Sequence, residues 1–341
     1  MVEPTLPVGK LPPELLARLL ARAPISDPRV RLGPGAGLDC AVLDLGDRLL
    51  VLKSDPITFA TADIGWYLVQ VNANDLATTG AVPRWLLLTM LLPEAASTPT
   101  QVEQWAEQVY RACRELGIDV IGGHTEVTHG LARPILAGTL IGEAQPGRLV
   151  TPRGAQPGHR LLLTKGVPIE ATALLAREFP EQLSAHLTPA ELAEAQAYLI
   201  RPGISVVRDA ALALQAGQVS AMHDPTEGGL AGALWELAEA CGHSLELDPA
   251  RVRVPPLAAR VCAAFGLDPL AAIASGALLL TAPEPDAANI CAALAAAGIP
   301  CAEIGAVESG PAAVWRAGPA GRELLPRPAR DEVARVFEGL Q

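Results

Sequence analysis

The sequence predicts a protein of two α/β or α+β domains of similar size, on three observations. The chain has 341 residues, a length that favours about two domains. Half of the residues are hydrophobic, which is enough for a substantial core. Segments typical of strands alternate with segments typical of helices, and a stretch rich in Gly, Pro and polar residues interrupts them at Glu143–His159. We therefore predict one domain over residues 1–150 and a second over 151–341.

The elements of the first half follow from apolar periodicity and from the residues that start and stop helices. The leucines after Pro12 and Pro13, for example, are spaced for one helical face. The predictions, in order, are a helix opened by Pro12-Pro13, a Gly-rich loop at Arg31–Asp39, strands Cys40–Leu45 and Leu49–Lys53, a helix capped by Asp63 and ending near Thr79, a helix from Thr98-Pro99 to Gly117, a strand Ile118–Ile121 broken by Gly122-Gly123, and a strand Pro134–Gly142.

The pattern restarts after the interruption, as expected for a second domain. The predicted strands are Arg160–Thr164, Val219–Met222, Ala277–Thr281 and Ala302–Val307. The predicted helices are Ile169–Glu178, Pro189–Leu199, Ile204–Gln215, Thr226–Ala240 and Asp286–Ala297.

Charge and cysteine content exclude several classes of protein. The net charge of −11 argues against a broadly basic surface, so we expect no nucleic-acid partner. None of the six cysteines forms a Cys-x-x-Cys pair, and several fall on apolar helix patterns, which is typical of a reduced, cytoplasmic protein. Met1–Lys10 lacks the pattern of a signal peptide, and no apolar run is long enough for a membrane span, so we expect no membrane partner.

Short acidic motifs stand at the edges of the apolar runs. Each combines carboxylates or amides with flexible or tightly turned backbone, which suits phosphates held through a hard metal ion such as Mg²⁺. The motifs are Gly35-Ala36-Gly37-Leu38-Asp39, Ser54-Asp55-Pro56, Asn72-Ala73-Asn74-Asp75, Gly122-Gly123-His124-Thr125-Glu126 and Asp224-Pro225-Thr226-Glu227-Gly228-Gly229.

The first two motifs each allow a purely structural interpretation. The segment from Gly35 to Gly37 could let backbone N–H groups approach an anion, but it is neither a Walker A loop nor a convincing dinucleotide fingerprint, and it also fits a surface turn. Asp55 follows an apolar strand, where a carboxylate commonly faces a cleft. Asp55-Pro56 is equally good turn chemistry.

The third and fourth motifs favour function more strongly. Asn72, Asp75 and Thr79 share one helical face, and a carboxylate in so apolar a segment needs a partner such as a metal ion if it is buried. The alternative is a solvated helix face. His124 and the other histidines show no zinc spacing, so Glu126 as a carboxylate ligand or catalytic group is the better interpretation.

The last motif could simply cap a helix, through Asp224 or Thr226. Two glycines in a first helical turn are costly, however, by about 1 kcal/mol each. Because bare N–H groups at a helix start attract phosphate, Gly228-Gly229 favours a helix start that faces phosphate.

In this order the motifs resemble the PurM-like superfamily of aminoimidazole ribonucleotide (AIR) synthetase, which includes HypE, thiamine-monophosphate kinase and selenophosphate synthetase. The chain is most similar to the HypE-related, AIR synthase-related proteins, over roughly residues 8–310. The residues that carry the resemblance are Gly35–Val42, Ser54-Asp55-Pro56, Asn72–Gly80 with Pro83, Gly122–Val127, Thr164-Lys165-Gly166, Pro202–Val207, Asp224–Leu230 and Ser275-Gly276.

The resemblance implies a fold, a cofactor and a set of site residues. It implies an N-terminal ATP-binding domain whose sheet forms a β-barrel across a homodimer, and a C-terminal α/β domain, with ATP and Mg²⁺ as cofactors. The implied metal ligands are Asp39, Asp55, Asp75 and Asp224. The implied nucleotide contacts are Gly35, Gly37, Asn72, Asn74, Thr125, Thr226 and Gly228. The implied catalytic groups are Asp55, His124 and Glu126.

The sequence also departs from the individual members of this superfamily. HypE carries a reactive cysteine at its C-terminus, whereas this sequence closes with Phe337-Glu338-Gly339-Leu340-Gln341 and its last cysteine is Cys301. The Gly-Asp-Asp motif usual in thiamine-monophosphate kinase is reduced here to Asp39, with Leu38 before it. His124 stands where several relatives have an acidic or amide residue.

We therefore expect an ATP- and Mg²⁺-dependent enzyme that phosphorylates or activates an unidentified small-molecule or protein-terminal acceptor. Three alternatives stay open. One is a nucleotide-binding accessory protein in hydrogenase metallocentre maturation, without catalysis of its own. The second is a small-molecule kinase like thiamine-monophosphate kinase. The third is a structural dimer that no longer binds nucleotide.

Overall fold

A computed structural model describes residues 6, 11–35, 38–58, 62–94, 96–318 and 321–338. Their secondary structure confirms the prediction of mixed α and β structure. The helices are α1 (Pro13–Leu20), α2 (Ile64–Thr78), α3 (Pro99–Leu116), α4 (Ile169–Glu178), α5 (Pro180–Leu183), α6 (Pro189–Ala197), α7 (Val207–Ala216), α8 (Gly229–Cys241), α9 (Pro256–Ala264), α10 (Glu284–Ala296) and α11 (Glu332–Glu338). The strands are β1 (Val30–Leu32), β2 (Ala41–Asp44), β3 (Leu49–Ile57), β4 (Val82–Pro93), β5 (Asp119–Thr128), β6 (Ile135–Ala144), β7 (Arg160–Thr164), β8 (Ala221–His223), β9 (Ser244–Leu247), β10 (Leu279–Ala282), β11 (Cys301–Glu308), β12 (Ala313–Gly318) and β13 (Gly321–Leu324).

The strands form one sheet in each half of the chain. The first has the order β1-β2-β3-β6-β4-β5, and only its β4–β5 pair is parallel. The second has the order β13-β12-β9-β11-β7-β10-β8, and only its β9–β12 pair is parallel. The sheets fall on either side of the predicted interruption, while the limits of the domains at residues 150 and 151 stay a prediction.

Two predictions about the first sheet are wrong. Strand β1 occupies the start of the segment that was expected to be a loop. The glycines of Gly122-Gly123 do not break a strand, because β5 continues through them with a register irregularity opposite Leu86 and Leu87. At Gly123, φ is 145° and a Cβ would lie 1.7 Å from the carbonyl oxygen of Leu88. Glycine therefore lets the two strands approach at this irregularity.

Helix α2 connects the two halves of the chain. It packs against β3 and β6, and almost all of its residues are buried. The amide of Asn74 donates to the carbonyl oxygen of Ile204 at 2.8 Å and accepts from the N–H of Val206 at 2.8 Å. The predicted cap is wrong, because the Asp63 side chain makes no capping bond and pairs instead with Arg177. None of the described helices is long and apolar enough to cross a membrane.

Candidate functional site

The ammonium group of Lys53 lies among three of the predicted carboxylates. Its Nζ is 2.9 Å from Oδ2 of Asp75, 3.0 Å from Oδ2 of Asp55 and 4.0 Å from Oδ1 of Asp39. The Asp75 side chain is 6% exposed, whereas those of Asp39 and Asp55 are about two-fifths exposed, at 41% and 38%. The group thus runs from a buried carboxylate to a more open edge.

Local structure explains why these side chains meet. Lys53 and Asp55 are two residues apart on β3 and therefore project from the same face of the strand. Asp75 projects from α2, which packs against that strand. Asn72, one turn earlier on α2, accepts a hydrogen bond from the backbone N–H of Asp55 at 3.1 Å and donates to the carbonyl oxygen of Leu68 at 2.8 Å. Asn72 thereby fixes the backbone that carries Asp55.

Asp224 brings the second half of the chain to this group. It directly follows β8 and is 1% exposed, and its Oδ2 has no hydrogen-bond partner among the described residues. The preceding residue, His223, is held by Glu236, with 2.7 Å between Nε2 and Oε2. Its Nδ1 lies 3.9 Å from Oδ2 of Asp39. The site is therefore built from both sheets.

Burial and mutual repulsion perturb the carboxyl groups. Burial raises the pKa of Asp75 to about 7, although the charge of Lys53 lowers it. Burial also raises the pKa of Asp224 well above its ordinary value, and the negative charge of Asp75 raises it further. Burial alone would lower the pKa of Lys53, but the charges of Asp75, Asp55 and Asp39 outweigh it and raise that pKa. One ammonium group thus faces several carboxyl groups, and the raised pKa values of the two buried ones mean that they need a proton or a further cation as a partner.

The donor set fits Mg²⁺ better than a metal held by protein ligands alone. Among the described residues, no group of three or more His, Cys, Asp or Glu side chains converges as a ready-made metal cluster. Mg²⁺ usually keeps several waters and takes one or two carboxylates together with substrate phosphates. Asp75 and Asp224 supply two buried carboxyl groups, and the unpartnered Oδ2 of Asp224 is a free oxygen ligand.

Two of the predicted nucleotide contacts, Gly35 and Asn74, do not join the group around Lys53 among the described residues. Gly35 is part of a turn in which its carbonyl oxygen accepts from the N–H of Leu38 at 3.2 Å, and Gly37 lies outside the described residues. Asn74 is fully buried, and both ends of its amide bond the backbone of the second half. Both polar atoms of the Asn74 amide are therefore engaged in joining the two halves of the chain.

The predicted catalytic residues of the fourth motif are set apart from Lys53. His124, Thr125 and Glu126 lie on β5, the outermost strand of its sheet, and all three are exposed. His124 pairs with Glu126, with 3.2 Å between Nε2 and Oε2. No hydrogen bond or ion pair among the described residues links the three to the carboxylate group.

The start of α8 contradicts one of the two interpretations of its sequence, and a phosphate-facing helix start stays a prediction. The prediction that Asp224 or Thr226 caps this helix is wrong, because the helix begins at Gly229 with no capping side chain. The N–H of Gly228 donates to Oδ2 of Asp331 at 2.7 Å, so a protein carboxylate already occupies it. A Cβ at Gly229 would lie 2.6 Å from the carbonyl oxygens of residues 270 and 272. Close packing is thus sufficient to explain why a glycine, and no larger residue, stands at position 229.

Sequence reasoning missed four charged residues in and around the site. Lys53 carried a usable signal, since it is the one cation of β3 and follows four apolar residues. Glu170 is 6% exposed with an unpartnered Oε2, and burial raises its pKa to about 7. His223 and Asp331 carried no such signal, because their partners are distant in the sequence.

Comparison with known proteins identifies both halves of the chain. The N-terminal domain of AIR synthase-related proteins matches residues 37–144, and the C-terminal domain of the same proteins matches residues 156–316. Together the two matches cover most of the 341 residues.

Two relatives and two solved structures illustrate the similarity. A carbamoyl dehydratase HypE of Escherichia coli K12 is 31% identical over 267 residues, which are 76% of this chain and 75% of the relative. A putative hydrogenase expression/formation protein of Methanocaldococcus jannaschii is 28% identical over 73% of this chain and 72% of its own. Among solved structures, the hydrogenase maturation protein HypE in complex with ATP has a TM-score of 0.68 at 24% identity, covering 92% of this chain and 90% of its own. AaThiL complexed with AMPPCP and TMP has a TM-score of 0.71 at 22% identity, and the match covers 93% of this chain and 94% of AaThiL. At sequence identities of 24% and 22%, the structural similarity shows that the chain shares the fold of these two proteins.

Proposed function

The chain belongs to the AIR synthase-related family, of PurM-like fold, and from that premise we propose that it binds ATP together with Mg²⁺ and uses it to phosphorylate or activate an acceptor. One observation carries the proposal: Asp75 and Asp224, from different halves of the chain, are buried beside Lys53. Buried carboxylates are costly unless a cation or a proton compensates them. A nucleotide-bound metal ion is the compensation that this family context favours.

Asp75 and Asp224 would hold Mg²⁺, with Asp39 and Asp55 at the more open edge of the same group. The ion, when bound, would neutralise charge on the phosphates and on the transferring phosphoryl group. Lys53 would keep the carboxylates ionised and in place, since it contacts Asp55 and Asp75 directly. Asn72 would position Asp55 through its backbone N–H.

The acceptor of the HypE-like relatives is the first chemistry to consider. They are named as carbamoyl dehydratases or hydrogenase formation proteins, and one structural neighbour is a complex of HypE with HypF. We propose, on that similarity, a role in metallocentre maturation in which the acceptor is a group carried by a protein. A small-molecule kinase is the second candidate, favoured by the fold that the chain shares with AaThiL in its complex with AMPPCP and TMP.

A homodimer formed through β5 is part of the same proposal. This edge strand has ten residues, nearly all exposed, among them Ile121 at 55% and Val127 at 57%. A long edge strand that exposes apolar side chains is a site for pairing with another chain. Pairing across β5 would also cover His124 and Glu126. In the β-barrel implied for this family, both residues would lie at the interface between the two copies, which would explain why they are set apart from Lys53.

Titration calorimetry with ATP and Mg²⁺, on the protein and on Asp75→Asn and Asp224→Asn, tests the nucleotide site. We expect both variants to fold and to lose at least tenfold in Mg²⁺-dependent ATP affinity, because each removes one anionic ligand. Asp47→Asn is the control, since Asp47 is an exposed carboxylate in the turn before β3. Equal affinity in all four proteins would contradict the proposal.

A second measurement separates an enzyme from an accessory protein. ATP turnover is followed with candidate acceptors, and the products are resolved as ADP or AMP. Acceptor-dependent product that disappears in Asp224→Asn supports catalysis. ATP binding without turnover, in the presence of candidate protein partners, favours the accessory role.

A further inference from the structure

Cys291 and Cys301 bring two thiols together in the second half of the molecule. Cys291 lies in α10 and Cys301 is the first residue of β11, and these two elements pack against each other. The Sγ atoms are 3.2 Å apart, and both side chains are partly exposed. A covalent S–S bond of about 2.0 Å therefore needs the sulfur atoms to approach by only about 1 Å.

The other cysteines offer no comparable pair. All six cysteines are free thiols. The remaining four contact backbone carbonyls or lie in the core: Cys40 and Cys241 donate to carbonyl oxygens, and Cys113 and Cys262 are buried.

The contact also makes the two sulfurs chemically unequal. The hydrogen bond with Cys301 lowers the pKa of Cys291 against the effect of burial. The same contact and burial raise the pKa of Cys301. By contrast, burial raises the pKa of Cys113 to about 11 and that of Cys262 to about 12. Because the thiolate is the nucleophile, Cys291 is the thiol poised to react first.

We propose that Cys291 and Cys301 are a reversible oxidation site, at which a peroxide converts the two thiols into an intramolecular disulfide. The Cys291 thiolate attacks one peroxide oxygen, the O–O bond breaks, and the other oxygen leaves as hydroxide. The Cys301 sulfur then attacks the Cys291 sulfenic acid, the S–O bond breaks, and water leaves with the thiol proton. Two electrons pass from the sulfurs to the peroxide, and a dithiol reductant reverses the change.

The disulfide would join α10 to a polar network in the sheet. Cys301 stands opposite Thr164 in the β7–β11 pair. Thr164 donates to Oδ1 of Asp209 at 2.7 Å, and Oδ2 of Asp209 lies 3.1 Å from Nζ of Lys165. Because the disulfide would hold α10 to this part of the sheet, we expect oxidation to raise the midpoint temperature of thermal unfolding. This expectation does not depend on the nucleotide chemistry.

Peptide mapping without reduction tests the site directly. The reduced protein is treated with hydrogen peroxide, remaining thiols are blocked with N-ethylmaleimide, and the protein is cleaved before aspartate. The peptide from Asp286 to Arg330 holds both cysteines and no other cysteine, so the disulfide appears as its loss of two hydrogen atoms. We expect the thiol count of the denatured protein to fall by two of its six and to recover with dithiothreitol.

Serine variants complete the test. Cys301→Ser should give no cross-link and should leave a sulfenic acid on Cys291 that dimedone traps. Cys241→Ser is the matched control, since Cys241 is also partly exposed but its sulfur donates to a backbone oxygen. This variant should still form the disulfide between Cys291 and Cys301. The proposal is overturned if both thiols survive the peroxide, if they are oxidised separately to sulfinic acids, or if either pairs with another cysteine.

Discussion

Nζ of Lys53 lies 2.9 Å from Oδ2 of Asp75, a carboxylate that is only 6% exposed. Three further carboxylates lie around the pair, those of Asp39, Asp55 and Asp224. Because one ammonium group compensates several anions here, the stability of the site and its affinity for cations depend on each other.

Lys53→Met should destabilise the protein by about 3 kcal/mol at pH 7.5, because it leaves a buried carboxylate without its cation. Urea unfolding measures the change. Added Mg²⁺ should restore part of the loss if the carboxylates can bind it.

Arg48→Met is the control for Lys53→Met. Arg48 lies just before β3 and pairs with Asp47 and Glu143, but its side chain is 53% exposed. Exposed ion pairs contribute little, so we expect a change within about 1 kcal/mol. A Lys53 variant as stable as the Arg48 variant would show that the carboxylates do not need the ammonium group.

Asn74→Ala should destabilise the protein by about 3 kcal/mol, because two buried backbone groups lose their partners. These are the carbonyl oxygen of Ile204 and the N–H of Val206. Denaturant unfolding measures the loss, with the exposed Asn289→Ala on α10 as the control. If the two variants are equally stable, Asn74 is free to serve a ligand, as the sequence resemblance implies.

Elements with strong local signals could be predicted from the sequence, and those that depend on distant pairing could not. Helix α4 and strand β7 have the predicted bounds, because their apolar runs end at polar or turn residues. Strand β4 was missed even though it has twelve residues, since its apolar run is nearly continuous and apolar and polar residues do not alternate along it. Strand β9 is only four residues long and pairs with β11 and β12, far along the chain.

The carboxylates of the site were predictable, and their partners largely were not. Short motifs that are recognisable in the sequence contain these carboxylates, which belong to Asp39, Asp55, Asp75 and Asp224. The contact between Asp331 and Gly228 spans 103 positions, and no local pattern encodes it. The order of the motifs indicates the family, but it does not indicate which side chains touch.

Glu170→Gln should remove a dependence of stability on pH. Burial raises the pKa of Glu170 from 4.5 to about 7, so between these values the folded state holds a proton that the unfolded state has released. The contribution of Glu170 to wild-type stability therefore falls as the pH rises from about 4.5 to 7. Relative to wild type, Glu170→Gln should gain up to about 3 kcal/mol across this window and nothing more above it.

Chemical denaturation at a series of pH values checks this sign. Glu181→Gln is the control, because Glu181 is exposed on α5. A stability difference between Glu170→Gln and wild type that is as constant with pH as that of Glu181→Gln would show that folding does not raise the pKa of Glu170. A difference that moves against the Glu170 variant as the pH rises would show that Glu170 is ionised in the folded protein.

The double variant Ile121→Glu, Val127→Glu should be monomeric. Both side chains are more than half exposed on β5, and charges on an edge strand oppose its pairing with a second copy. Sedimentation velocity measures the oligomeric state. Leu324→Glu, on the edge strand β13 of the other sheet, is also half exposed and should leave the dimer intact. A wild-type protein that sediments as a monomer at micromolar concentration, or a double variant that stays dimeric, would rule out β5 as the interface. Loss of Mg²⁺-ATP binding in a folded, monomeric double variant would further indicate that a residue of the second copy completes the site.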